Sequence, residues 1–242
     1  MEILTNFFRV ALYQPLLNVL VLLYLYLPGH DFGIAVIMLT LVIRFLFYPL
    51  SKKAIQSQKA LSKIQPKMKE IQEKYKDNKE EQSKKLMELY KQEKINPFSG
   101  CLPILVQLPI MLALYRVFWT GLKEEQMELL YSFVTLPEAI NPNFLGVINL
   151  SEPHIAIAVL AGIFQFIQTR MMKTKTPDQN PKGKKGFAEV FQKQAQFLFP
   201  IFAFIILLRL PSAIGLYWIT TSLFTIAQQH FVFKKKEENV RG

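Results

Sequence analysis

Apolar and charged positions along this chain are not interspersed; they fall in blocks. Five apolar blocks, at about 31–50, 98–121, 153–172, 195–210 and 212–233, read as membrane-spanning helices, since about 20 residues of helix cross a hydrocarbon core of about 30 Å. The fourth is short, and Pro211 separates it from the fifth by a tight turn. A sixth apolar run, 16–27, holds only twelve residues before Pro28-Gly29. That length suits a helix lying at the interface better than one that spans.

The charged stretch between the first two blocks has a periodicity of its own. Ile64, Met68, Ile71 and Tyr75 are spaced by four, three and four residues, an apolar seam on one helix face. "KDNKEE" (76–81) reads as a turn into a second helix carrying Leu86, Leu89 and Tyr90, which Asn96-Pro97 stops. Two amphipathic helices joined by a tight turn predict an antiparallel hairpin. A solvated linker whose lysines serve only solubility has no need of the seam. By contrast, "KTKTPDQNPKGKKG" (173–186) has no apolar period and reads as a basic loop.

Composition supports the division. The chain is 51% hydrophobic over 242 residues, with mean hydropathy +0.20 although 29 Lys and Arg and 18 Asp and Glu are present. A net charge of +11 matters here through its distribution. Residues 51–96 hold thirteen lysines against seven acids, and 170–194 hold Arg170 and six lysines against Asp178 and Glu189. The tail adds Lys234, Lys235, Lys236 and Arg241, whereas 122–152 holds only Lys123 against five glutamates. The positive-inside rule then puts the N-terminus outside and the C-terminus in the cytoplasm. The resulting organisation is an N-terminal segment with an outer-face interfacial helix (1–29), a first span (30–51) and a cytoplasmic hairpin (52–96). A second span (97–121), an external loop (122–152) and a third span (153–172) follow. A cytoplasmic basic loop (173–194), two further spans (195–210 and 211–233) and a cytoplasmic tail (234–242) complete it. The expected fold is an all-α polytopic membrane protein with a five-helix core. The N-terminus lacks the pattern of a cleaved signal, because Glu2 precedes the first base, Arg9, and no small-x-small site follows.

Candidate chemistry is concentrated in a few polar residues within the apolar blocks. Arg44 lies about six residues, or roughly 9 Å, from the cytoplasmic end of its helix. Two readings compete there. An arginine that snorkels to the interface is one; a water-filled cavity open to the cytoplasm is the other. The cavity removes most of the about 2.5–3.5 kcal/mol that an uncompensated mid-helix arginine costs on insertion scales. Thr40 shares the face of Arg44 one turn earlier. In the last span, Tyr217, Thr221, Thr225 and Gln228 fall on one stripe flanked by Trp218. Gln165, Gln168 and Thr169 form a polar patch in the third span, and Gln107 adds one in the second. Singly, each fits interhelical hydrogen bonding; together with an unpaired arginine they point to a hydrated groove.

Other chemistries find little support. No acid sits centrally in a span, which argues against an aspartyl intramembrane protease. His30, His154 and His230 lack HExxH spacing, and no phosphate-binding glycine pattern occurs. One cysteine, Cys101, excludes an internal disulfide and a cysteine zinc cluster. We therefore expect no enzyme, no metal and no cofactor.

Four separated stretches carry a family resemblance: "VIRFLFYPLSKKAIQSQKAL" (42–61), "YKQEKINPFSGCLPILVQLPIMLALY" (90–115), "FIQ" (166–168) and "PSAIGLYWITTSLFTIAQQH" (211–230). The chain resembles the YidC/Oxa/Alb family of membrane protein insertases over nearly all of 30–233. The resemblance implies five core spans, with 16–27 interfacial on the outer face. It also implies a hydrophilic groove open to cytoplasm and lipid and closed outside. The conserved positive charge of the groove maps onto Arg44, with Thr40, Gln168, Tyr217 and Trp218 beside it; the polar positions Gln107 and Thr221 extend the set. The family's cytoplasmic hairpin maps onto about 52–95. The large periplasmic domain of many Gram-negative members, a lipoprotein signal and a long basic tail are not seen in this sequence. The implied setting is the bacterial inner membrane, with nascent membrane proteins as clients. The ribosome, the signal recognition pathway and the Sec translocon are implied as partners among membrane lipids, with no specific nucleic acid sequence. Two other functions compete with this one. A small-solute transporter or anion channel using Arg44 as binding charge calls for a through-path or paired broken helices, and neither is visible. The other is an assembly factor whose hairpin docks partners while the spans only anchor it.

Overall fold

The computed structural model describes residues 2–96, 102–120, 128–135, 137, 139–171 and 187–241. Its architecture is helical apart from one two-stranded ribbon among these residues. The chain opens with α1 (Glu2–Phe8), a π-helical turn (Arg9–Tyr13) and α2 (Gln14–Tyr26), which run on without a break. The π turn sits just ahead of Pro15, whose ring crowds the carbonyl four residues earlier and whose nitrogen donates nothing. The apolar run 16–27 is therefore the second half of a longer helix rather than a free-standing one. By length and composition, Thr5–Tyr26 is long and apolar enough to cross a membrane. One face of it, with Tyr13, Leu17, Leu20, Val21 and Tyr24, is buried in protein.

Asp31 caps the next helix, α3 (Phe32–Leu46), by accepting from the backbone N–H of Ile34 at 2.9 Å. α3 stops four residues short of the apolar block's end. Pro49 cannot continue a helix but fits the first turn of a new one, and α4 (Tyr48–Lys74) leaves at 68° to α3. The boundary expected near 51 thus moves back to Phe47, and residues 48–51 belong to α4. α5 (Lys79–Gln92) starts from an Asn78 cap that accepts from the Glu81 N–H. Tyr90 donates to the sulfur of Met68 at 3.7 Å, and Lys67 pairs with Glu93 at 2.5 Å. Those pairings, with Gln82 Nε2 on the Gln72 carbonyl, make α4 and α5 antiparallel. Ile64 and Leu89 are buried between them.

The remaining elements are α6 (Leu102–Thr120), β1 (Asn143–Phe144), β2 (Ile148–Asn149), α7 (Ile155–Met171), α8 (Phe187–Leu207) and α9 (Ser212–Arg241). Two helices outrun their apolar blocks. α8 takes 187–194 from the expected basic loop, and α9 takes 234–241 from the expected tail. Apolar patterning marks where a helix is buried in lipid or protein, not where it ends. Stretches rich in Ala, Glu, Gln and Lys stay helical in water. Cys101, the basic stretch 173–186 and the acids Glu124, Glu125 and Glu138 lie outside the described residues.

α9 is the central helix, packing on α7, α3, α4 and α6, while α8 lies on α7 and α2 on α3 and α6. A Cβ at Gly215 would stand 2.5 Å from Cγ2 of Ile157, so only glycine allows α9 and α7 to approach this closely. Fully buried Phe32, Leu114, Val117, Leu150 and Ile214 place the apolar core toward the end of the bundle that carries the ribbon. That end is strapped to the N-terminal helix: Asn18 donates to the Leu129 carbonyl and accepts from the Tyr131 N–H, and the Tyr24 hydroxyl oxygen accepts from the Asn141 N–H. The exterior is apolar as well, with Val42, Leu112, Ile163, Phe202 and Ile205 about half exposed on four different helices. A water-soluble surface does not carry apolar area on that scale; a lipid-facing one does.

Candidate functional site

Beyond the apolar core, polar side chains from three helices meet. Arg44, in the last turn of α3, donates from Nη2 to Oε1 of Gln107 on α6 at 2.6 Å. Gln107 in turn donates from Nε2 to the hydroxyl oxygen of Tyr217 on α9. The amide orientation follows from chemistry. A guanidinium only donates, so the carbonyl end of Gln107 faces it and the amino end faces Tyr217. α9 packs on both α3 and α6, and Phe32 of α3 meets Phe118 of α6 edge to face, so the polar chain bridges three helices that are in contact. Arg44 has no ion-pair partner among the described residues, and its Nε is buried with no hydrogen-bond acceptor.

A second polar group lies between α7 and α9. Trp218 donates its indole N–H to Oε1 of Gln165 at 2.8 Å, and Ser222 approaches the same oxygen at 3.4 Å. Thr169 closes back on the Gln165 carbonyl. Gln168 Oε1 and Thr221 Oγ1 are buried without a hydrogen-bond partner. Buried polar atoms are rarely left so unless water or a ligand serves them. A polar, accommodating interior is what they describe.

Of the residues singled out from sequence, Arg44, Gln107 and Tyr217 are joined in one hydrogen-bonded chain. Trp218 belongs to the neighbouring α7–α9 group, and Gln168 and Thr221 contribute unpartnered polar atoms. Thr40 differs. It is 1% exposed and its hydroxyl donates to the Val36 carbonyl at 2.7 Å, so it presents no free polar group. Sequence reasoning places Gln165 in a polar patch but not against Trp218. It misses the contact of Ser51 with Gln228, and the fully buried Gln229, whose two amide atoms have no partner. The signal at 228–229 is a Gln-Gln pair inside an otherwise apolar block.

Comparison with known proteins shows the family. The family model described as 60Kd inner membrane protein matches residues 23–239. A membrane protein insertase YidC of Fusobacterium nucleatum is 35% identical over 205 residues, covering 85% of this chain and 87% of that one. The chain belongs to the YidC/Oxa/Alb family. Other YidC relatives are longer. Those of Syntrophobacter fumaroxidans (36% identical over 226 residues) and Geobacter metallireducens (34% over 223) are matched over 90% and 91% of this chain. The chain spans only 37% and 36% of their lengths. The match to residues 23–239 takes in α3 to α8 and α9 as far as residue 239, hence every residue of the polar chain.

Proposed function

We propose that this YidC-family chain is a membrane protein insertase of the bacterial inner membrane. The observation that carries the reading is Arg44: a guanidinium with no ion-pair partner among the described residues, held by Gln107 and Tyr217 inside helices whose outer faces are apolar. A nascent hydrophobic segment brings a short polar flank, often acidic, into a groove lined by Arg44, Gln107, Tyr217, Gln168 and Thr221. There the low dielectric strengthens attraction between carboxylate and guanidinium relative to bulk water. The polar path through lipid is shortened, and the apolar segment leaves along the outer faces of α7 and α9. A membrane potential adds about 2.3 kcal/mol per charge per 100 mV to the outward movement of an acidic flank. No covalent step and no cofactor enter the scheme.

In this reading α3, α6, α7, α8 and α9 are the spans, the N-terminus is outside and the C-terminus cytoplasmic. The α4–α5 hairpin, the basic stretch 173–186 and the tail offer positive surfaces to the ribosome, the signal recognition pathway and the Sec translocon. The test is insertion of a single-span client into liposomes containing only this protein, with N-terminal tails of graded charge. Loss of one charge-assisted hydrogen bond is worth about 1.5–3 kcal/mol, so Arg44→Ala is expected to slow acidic-tail clients by about ten- to a hundredfold. Arg44→Lys keeps most activity. Equal insertion by wild type and Arg44→Ala at every tail charge would overturn the electrostatic role.

A further inference from the structure

The Arg44 guanidinium is engaged at half of one edge. Nη2 and Nε bound the same side of its plane, the side that takes both oxygens of a carboxylate at once. Gln107 supplies a single oxygen to Nη2, at 2.6 Å, while Nε is buried with no acceptor. An amide has only one oxygen to offer; its other end, an NH2 group, is turned away and spent on Tyr217. We infer that Gln107 is a resident stand-in for a client carboxylate. It holds the Nε–Nη2 edge oriented and half satisfied, and a client's Asp or Glu side chain replaces it by satisfying both donors.

Three features argue for replacement rather than a permanent bond. A neutral amide binds a guanidinium less strongly than a carboxylate does, so exchange favours the client. The displaced Gln107 keeps its Nε2 bond to the Tyr217 oxygen, so its side chain is not left wholly unpaired. And Arg44 and Gln107 are both only partly buried, so a client side chain can reach the pair and part it without prising apart two helices. Gln107 is thus a positioning residue that sets how strongly the groove prefers acidic flanks. Tyr217 fixes the amide's orientation by accepting from its amino end.

This inference rests on the insertase reading, and its test separates the two. The same liposome assay, with tails carrying none, one, two or three acidic residues, is run on wild type, Arg44→Ala, Gln107→Glu and Gln107→Leu. Gln107→Glu is isosteric and sets a permanent carboxylate charge against Arg44 in place of the neutral amide, with the Tyr217 hydroxyl now donating to its second oxygen. Insertion of acidic-tail clients should fall by at least about tenfold, to the level of Arg44→Ala. Neutral-tail clients should lose clearly less than acidic-tail ones, and the thermal midpoint is no lower than wild type. Gln107→Leu removes the stand-in, so the dependence of insertion on tail charge steepens. Wild-type handling of acidic tails by Gln107→Glu would overturn the inference. So would an equal loss for neutral and acidic tails in Gln107→Leu, which marks a purely structural residue. If Arg44→Ala itself has no charge-dependent effect, the underlying reading falls, whatever the Gln107 variants do.

Discussion

Ser51, in the first turn of α4, donates its hydroxyl hydrogen to Oε1 of Gln228 on α9 at 2.7 Å, across 177 residues of sequence. Gln228 answers with Nε2 on the Tyr48 carbonyl at 3.2 Å. The two bonds fasten the start of the hairpin to α9 just past the bend at Phe47. Arg44 lies three residues before that bend, so the hairpin angle and the arginine are set by one short stretch of backbone.

Ser51→Ala should therefore loosen the hairpin. Gln228 is 3% exposed, and leaving its buried oxygen without a donor costs about 1–3 kcal/mol. Spin labels at the hairpin turn and on α9 would report a broader distance distribution than in wild type. Adding Gln228→Leu to Ser51→Ala removes both partners and should cost less than the two single changes summed. An unchanged distribution and midpoint in Ser51→Ala would show that packing alone fixes the angle.

Gly33 faces the ring of Phe144, and a Cβ there would collide with the ring's Cδ2 and Cγ. The ribbon's first strand thus lies directly on the start of α3, where Asp31 also accepts from the Leu145 N–H. Gly33→Ala is expected to destabilise by about 1–3 kcal/mol through overpacking. Phe144→Ala in the same chain should recover part of the loss. Thermal unfolding in detergent measures both, and additive losses would place the strain elsewhere.

How much of the fold and the site is legible in sequence depends on what a single helix can reveal. A charge or amide inside an apolar block is visible from one segment alone, which is why Arg44, Gln107 and Tyr217 stand out in the bare residue pattern. Which residues meet across helices is not encoded in the spacing along either one. Gln165 and Gln168 look equivalent by spacing, yet only Gln165 reaches Trp218. Thr40 shares a helix face with Arg44 but turns its hydroxyl onto its own backbone. Hydropathy misplaces helix ends wherever the helix continues from an apolar setting into a polar one, as in α8 and α9.

Asn18 gives a third prediction. It is 1% exposed within an apolar helix, and its side chain reaches the Leu129 carbonyl, the Gln14 carbonyl and the Tyr131 N–H. Asn18→Leu strips the partner from the Tyr131 N–H, at a cost of about 1–3 kcal/mol when left unsatisfied, and leaves the Leu129 carbonyl to Gln14 alone. The stretch around 129–131 should then become sensitive to protease and its amides should exchange faster. Unaltered exchange at Tyr131 would mean that Gln14, which also donates to Leu129, holds the loop by itself.

The last prediction separates buried from accessible polar residues on one site. With Cys101 replaced by serine, single cysteines at positions 40, 107 and 168 would be exposed to a membrane-impermeant thiol reagent from either side. Gln107 and Gln168 are only partly buried, whereas Thr40 is enclosed and internally bonded. On the proposed orientation, cysteines at 107 and 168 should react from the cytoplasmic side and resist from the other, toward which the buried Phe32, Leu114 and Leu150 lie. The cysteine at 40 should stay essentially unmodified from both sides. Reaction at 107 and 168 from both faces would turn the groove into a channel, and protection of both would leave Arg44 in a dry interior. Labelling at 40 as fast as at 168 would mean that the packing around α3 opens in the membrane.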